Sequence, residues 1–164
     1  MYGTISFATG LRDGLPFTLA LAGLLIWISV VDFRHYIIPD LAVLGLLLIG
    51  VIMIWRLDSP LADHFIGAVF WSTAFFFVAK VFSIYRGFEG LGLGDVKLVA
   101  ALGLWLGMPG MIVTVFAAAL GGILVLIVGR VLKRAKEPLD ETAIAFGPFL
   151  CLSAWAVWLQ GAAG

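Results

Sequence analysis

Two short stretches of this chain place acids, a basic residue and backbone-breaking residues between long apolar runs. They are Asp32-Phe33-Arg34-His35-Tyr36-Ile37-Ile38-Pro39-Asp40 and Glu89-Gly90-Leu91-Gly92-Leu93-Gly94-Asp95-Val96-Lys97-Leu98. An ionisable side chain at the edge of hydrocarbon is expensive and rarely idle, so Asp32 and Asp95 are the residues to explain. Two carboxyl groups within about 3 Å of each other share a proton, because both cannot ionise comfortably. The ionised member can then deprotonate a water while the protonated member polarises a scissile carbonyl. That is general acid–base hydrolysis without a covalent enzyme intermediate. Such a site needs acids on different helices, pliant backbone beside one of them and a partly dry setting. Gly92 and Gly94 supply the pliant backbone, since they remove side chains where the chain must turn or be approached closely. The expectation is that Asp32 and Asp95 meet across the fold.

Each residue also has a plainer reading. Asp32 could pair with Arg34 at a helix end. Asp95 could cap a helix that starts at Val96 or pair with Lys97. Asp40 follows Pro39 at a helix start, where an acid meets the helix dipole favourably, so its expected role is structural. Lys97 could neutralise charge near Asp95 or snorkel to the surface. His35 and His64 have no ligand-spaced partner, and no metal or other cofactor is expected. Cys151 is the lone cysteine, inside an apolar run, and is expected simply to pack.

The elements that must position these acids are membrane helices. Of the 164 residues, 63% are hydrophobic and only 12% charged, with a mean hydropathy of +1.14. Soluble domains carry about 25% charged residues. The formal net charge is zero, with no basic stripe for nucleic acid. The pattern predicts an all-α, polytopic membrane protein forming a single domain over 1–164. Its spans of about 16–31, 41–55, 65–82, 95–107, 111–132 and 146–159 make six. Residues 1–15 read as a lead-in, Pro16 as the first turn of the first span, and 32–40 as a loop. Gly107-Met108-Pro109-Gly110 separates the fourth and fifth spans. The 82–94 segment is a candidate lid. Small residues at Ala117–Gly122 would let a neighbouring helix pack closely, and a homodimer stays open.

Basic residues set the orientation. With six spans, Arg34, Lys80, Arg86, Lys97, Arg130, Lys133, Arg134 and Lys136 fall on one side, and only Arg12 and Arg56 on the other. The first side is then cytoplasmic, and it holds both Asp32 and Asp95.

In this order and spacing, Asp32 with Ile38-Pro39-Asp40, the run Glu89–Leu98, its continuation Val99–Gly107, and Ala145-Phe146-Gly147-Pro148-Phe149-Leu150 resemble the type IV prepilin peptidases. These are GxGD-class intramembrane aspartyl proteases. The resemblance runs from about Leu24 to Trp158. It implies that Asp32 and Asp95 are the catalytic pair, with Gly92, Gly94, Lys97, Pro39 and Asp40 as motif residues around them. It further implies a bacterial inner-membrane enzyme, in contact with lipid, that cuts the basic leader of a prepilin or pseudopilin at the cytoplasmic face. No cofactor is implied. Longer members carry an additional segment with paired CxxC motifs and methylate the new amino terminus; with a single cysteine, this chain resembles the short, peptidase-only members or the catalytic portion of a longer one. The alternatives are another GxGD protease, against which Val31-Asp32 stands where a Tyr-Asp is usual, or a small carrier or scaffold using membrane carboxylates.

Overall fold

The computed structural model describes residues 7–86, 92–133 and 145–163. Their backbone forms five helices, α1 (Phe7–His35), α2 (Asp40–Arg56), α3 (Leu61–Arg86), α4 (Leu93–Lys133) and α5 (Gly147–Ala163). Among the described residues there is no strand. Helices are what an apolar chain must form in lipid, where each backbone N–H and C=O needs a partner within its own segment. Among the described residues, three stretches are long and apolar enough to cross a membrane: Gly14–His35, Leu61–Tyr85 and Leu93–Val128. At 17 residues each, α2 and α5 reach about 26 Å.

Several expected boundaries move. The first helix starts well before Pro16, which lies inside α1. It also runs on through Asp32 to His35, so Asp32 is a helical residue rather than part of a loop. The buried stripe of Leu21, Leu25 and Ile28 continues at helical spacing to Asp32, and the chain leaves the helix only at Tyr36, in the left-handed region at φ 55°. The fourth and fifth expected spans, by contrast, meet where expected: α4 is two helical segments joined at a kink at Gly107 (φ 64°, ψ −175°). A left-handed φ favours glycine there. Pro109 two residues on lacks an N–H, so the regular ladder is interrupted at the same place. The Nδ1–H of His64 in α3 donates to the Leu104 carbonyl at 2.8 Å beside this break. Of the expected lid over 82–94, Phe82 to Arg86 belong to α3 and Leu93 and Gly94 to α4, whereas 87–91, with Glu89, lie outside the described residues. The charged run lies beyond them from Arg134 onward.

α4 is the central element, packing on α3, α5 and α2, while α1 packs on α5 and α2. The helices α1, α2, α4 and α5 thus close a ring, and α3 lies against α4 from outside. Leu21, Ile28, Leu46, Met53, Leu98, Leu102 and Leu150 fill the ring and are buried. Indoles tie it together. Trp105 Nε1–H donates to the Leu46 carbonyl at 2.9 Å, and Gly50 leaves room, since a Cβ there would sit 2.9 Å from that nitrogen. Trp105 meets Trp158 edge to face at 5.4 Å between ring centroids, and Trp158 Nε1–H donates to Thr18 Oγ1 at 3.1 Å.

Lipid tails are as apolar as leucine, so close packing rather than water exclusion joins these helices. The α3–α4 contact shows how. A Cβ on Gly103 would lie 2.5 Å from Ala68 Cα, and one on Gly67 would lie 2.7 Å from the Gly107 carbonyl carbon. Gly103→Ala is expected to destabilise the protein in detergent by about 1–3 kcal/mol through overpacking. Gly23→Ala in α1, where a Cβ meets nothing within 4 Å, is expected to be neutral or stabilising by up to about 1 kcal/mol. Thermal unfolding of the two variants checks the contrast; equal effects would refute the close-approach account.

Candidate active site

The two acids reach one place by different routes. Asp32 sits in the last turn of α1, and the backbone N–H of Tyr36 closes on its carbonyl at 2.8 Å. Its side chain is only 5% exposed. A buried carboxylate needs a hydrogen-bond donor, and the donor is the backbone N–H of Gly147, 3.0 Å from Asp32 Oδ2. Gly147 is the first residue of α5, so the end of one helix carries the acid and the start of another holds it.

Asp95 lies in the first turn of α4, and its backbone N–H donates to the Gly92 carbonyl at 3.0 Å. The helix extends back through Asp95 to Leu93, three residues earlier than a start at Val96. The glycines act through clearance rather than conformation. Among the described glycines, only Gly107 has a positive φ. A Cβ on Gly94 would approach Ile38 Cβ to 3.2 Å, so Gly94 lets the start of α4 come against the connection between α1 and α2. That connection is extended: Pro39 has φ −66° and ψ 122°, and proline restricts Ile38 before it to the same region.

A cavity of about 270 Å³ opens between these elements, lined by Asp32, Tyr36, Ile37, Ile38, Asp40, Gly92, Gly94, Asp95 and Lys97. The structure therefore brings Asp32 of α1 and Asp95 of α4 to one cavity. Lys97 does not pair with Asp95: its Nζ is 2.8 Å from Asp40 Oδ1, bridging α4 to the first residue of α2. Both partners are exposed, so the bridge contributes at most about 1 kcal/mol. Asp32 likewise takes its hydrogen bond from Gly147, not from Arg34. Pro39 precedes α2 and makes no side-chain cap; its carbonyl instead accepts the N–H groups of Ala42 and Val43 at 3.1 and 3.2 Å. Cys151 is buried. Among the described residues, no three His, Cys, Asp or Glu side chains come together as a metal site.

Reading residues alone did not assign Gly147 a part at the site. The available signal was the Gly147-Pro148 pair opening an apolar run, because proline is at home in a first helical turn. Nothing in that pair named Asp32 as its partner. Two carboxyl groups from separate helices thus line one cavity, and carboxyl groups are among the side chains that carry general acid–base chemistry.

No solved structure matches this chain. Residues 19–127, which include both aspartates, match the type IV leader peptidase family. Three similar proteins are each called prepilin leader peptidase/N-methyltransferase. That of Pseudomonas aeruginosa is 36% identical over 138 residues, covering 84% of this chain and 47% of the relative. That of Stutzerimonas stutzeri is 35% identical with the same coverage. That of Neisseria gonorrhoeae is 34% identical over 143 residues, 85% of this chain and 47% of the relative. The chain thus spans about half the length of the curated relatives it matches. With the matched region enclosing α2, α3, Asp32 and Asp95, the chain belongs to the type IV leader peptidase family.

Proposed function

We propose that this chain is a membrane aspartyl endopeptidase that removes the basic leader of type IV prepilins or pseudopilins. The observation that carries this reading is the convergence of Asp32 and Asp95, from α1 and α4, on one cavity. The helices α1, α2, α3 and α5 and the two segments of α4 on either side of Gly107 then make six membrane segments. The distribution of basic residues puts the cavity at the cytoplasmic face.

In the reaction, one carboxyl group of the pair is ionised and the other protonated. The carboxylate takes a proton from a water as the water oxygen attacks the scissile carbonyl carbon. The protonated partner gives its proton to the carbonyl oxygen, which makes a neutral tetrahedral intermediate. A proton then passes to the departing nitrogen, the C–N bond breaks and the carbonyl re-forms. The pair returns to one shared proton, and the net change is peptide plus water to acid plus amine. Asp40 and Lys97 shape the rim without touching the reacting atoms.

The test is cleavage of a prepilin with a basic leader by purified protein in liposomes, with a chelator present. Asp32→Asn and Asp95→Asn are each expected to lower kcat about 1,000-fold or more, because neither acid can cover the other's role. The rate should depend on pH as a bell, since both fully protonated and fully ionised pairs are inactive. Asp40→Asn and Lys97→Ala, which break only an exposed ion pair, should keep activity within about threefold. A folded wild type that cuts no leader, or an active Asp32→Asn, would sink the proposal.

A further inference from the structure

We infer that Gly147 is a positioning residue for the cleavage proposed above: its backbone N–H holds the Asp32 carboxylate in the orientation that the reaction needs. The inference rests on that reading of the cavity. Asp32 and Gly147 are 115 residues apart, and the bond between them is buried. A carboxylate that is free to turn about its last bond presents its oxygens in many directions. A donor fixed on Oδ2 leaves Oδ1 as the oxygen available for water or for the shared proton. Catalytic groups must be held within about 0.5 Å of productive geometry, and a donor on a rigid helix does this better than one on a loop.

The donor is itself held in place. Phe146, just before α5, accepts the N–H groups of Phe149 and Leu150 at 3.1 and 3.2 Å, which closes the first turn. Its ring stacks on Phe75 of α3 at 6.3 Å between centroids. Phe149 lies against α4, where a Cβ on Gly121 would approach its Cδ1 to 3.2 Å. Pro148 has no N–H to spare and pre-sets the helical φ at this start. The start of α5 is thus wedged against α3 and α4, and its N–H points at α1.

Glycine is required at 147 for space. A Cβ there would lie 2.5 Å from Asp32 Oδ2 and 3.1 Å from its Cγ. No side chain fits without displacing the carboxylate, whereas the positive end of the helix favours that carboxylate where it stands. The titratable groups around Asp32 are Asp95 and Lys97 from α4, Asp40 from α2, Cys151 from α5 and Tyr36 beyond the end of α1. Replacing the Gly147 donor leaves all of them in place.

Two variants of the full chain in liposomes test the role. Glycolic acid at position 147, introduced by nonsense suppression, replaces the amide by an ester: it removes the N–H and adds no atom to the side chain. Gly147→Ala keeps the N–H and adds the Cβ. Both are expected to lower kcat about tenfold or more with KM within about twofold, and to displace the limbs of the pH–rate bell. Gly161→Ala, at the far end of α5 with nothing within 4 Å of its Cβ, should match wild type in rate and pH profile. An ester variant with wild-type kcat and pH profile would overturn the inference. So would a Gly147→Ala protein that is less stable to heat but unchanged in kcat per folded molecule and in pH profile. A wild type that cuts no leader would end the functional proposal, and the inference would then be decided by carboxyl-13C NMR titration of Asp32. A titration moved by the ester supports the contact, and an unmoved one refutes it.

Discussion

A carboxylate withdrawn from water costs several kcal/mol unless something donates to it, and Asp32 is such a group. The solution here is a helix start. The N–H of Gly147 meets Asp32 Oδ2, so the end of α1 and the beginning of α5 must lie at one level and in contact. Much of the architecture follows from that requirement. α5 must be seated firmly enough to aim its first N–H, and α4 must reach the same level from the opposite side to deliver Asp95. The glycine at 147 and the glycine at 94 are the clearances that make these approaches physically allowed.

The remaining packing keeps the ring from drifting. In hydrocarbon there is little gain from hiding apolar surface, so registration comes from steric fit and from the few polar groups that have to be satisfied. Trp105 and Trp158 do both. Their ring edges fill the centre, and their N–H groups reach an α2 carbonyl and the Thr18 hydroxyl. Three helices are thereby linked to α4, directly or through one neighbour. The break at Gly107 belongs to the same economy: the change of direction in α4 sits against Gly67 of α3, and His64 donates to a carbonyl beside it.

The polar groups of the cavity divide into two kinds. Asp32 is buried and bound to the backbone, whereas Asp40 and Lys97 are exposed and bound to each other. Coulomb attraction between exposed groups is weakened by water, so the rim pair tethers α2 to α4 lightly. On the proposed reading, that combination of a stiff acid and a yielding entrance lets an extended peptide enter between helices whose own backbone is already satisfied.

Composition and hydropathy made the helical class and membrane character legible, because 63% apolar residues leave a backbone in lipid no alternative to helices. The two acids stood out for the same reason: charge amid hydrocarbon is costly and so conspicuous. The start of α2 and a break near Gly107 were also readable, from proline and glycine chemistry that acts within a few residues. Other features were decided by distance through space. That Lys97 pairs with Asp40 rather than Asp95 and that Gly94 serves Ile38 rather than a turn both depend on neighbours 50 or more residues away. The bond from Gly147 to Asp32, 115 residues apart, is the clearest instance. Local sequence determines which groups must find partners, because the cost of leaving them unsatisfied is local; which partner each one finds is set by how five helices pack, and that is a property of the whole chain.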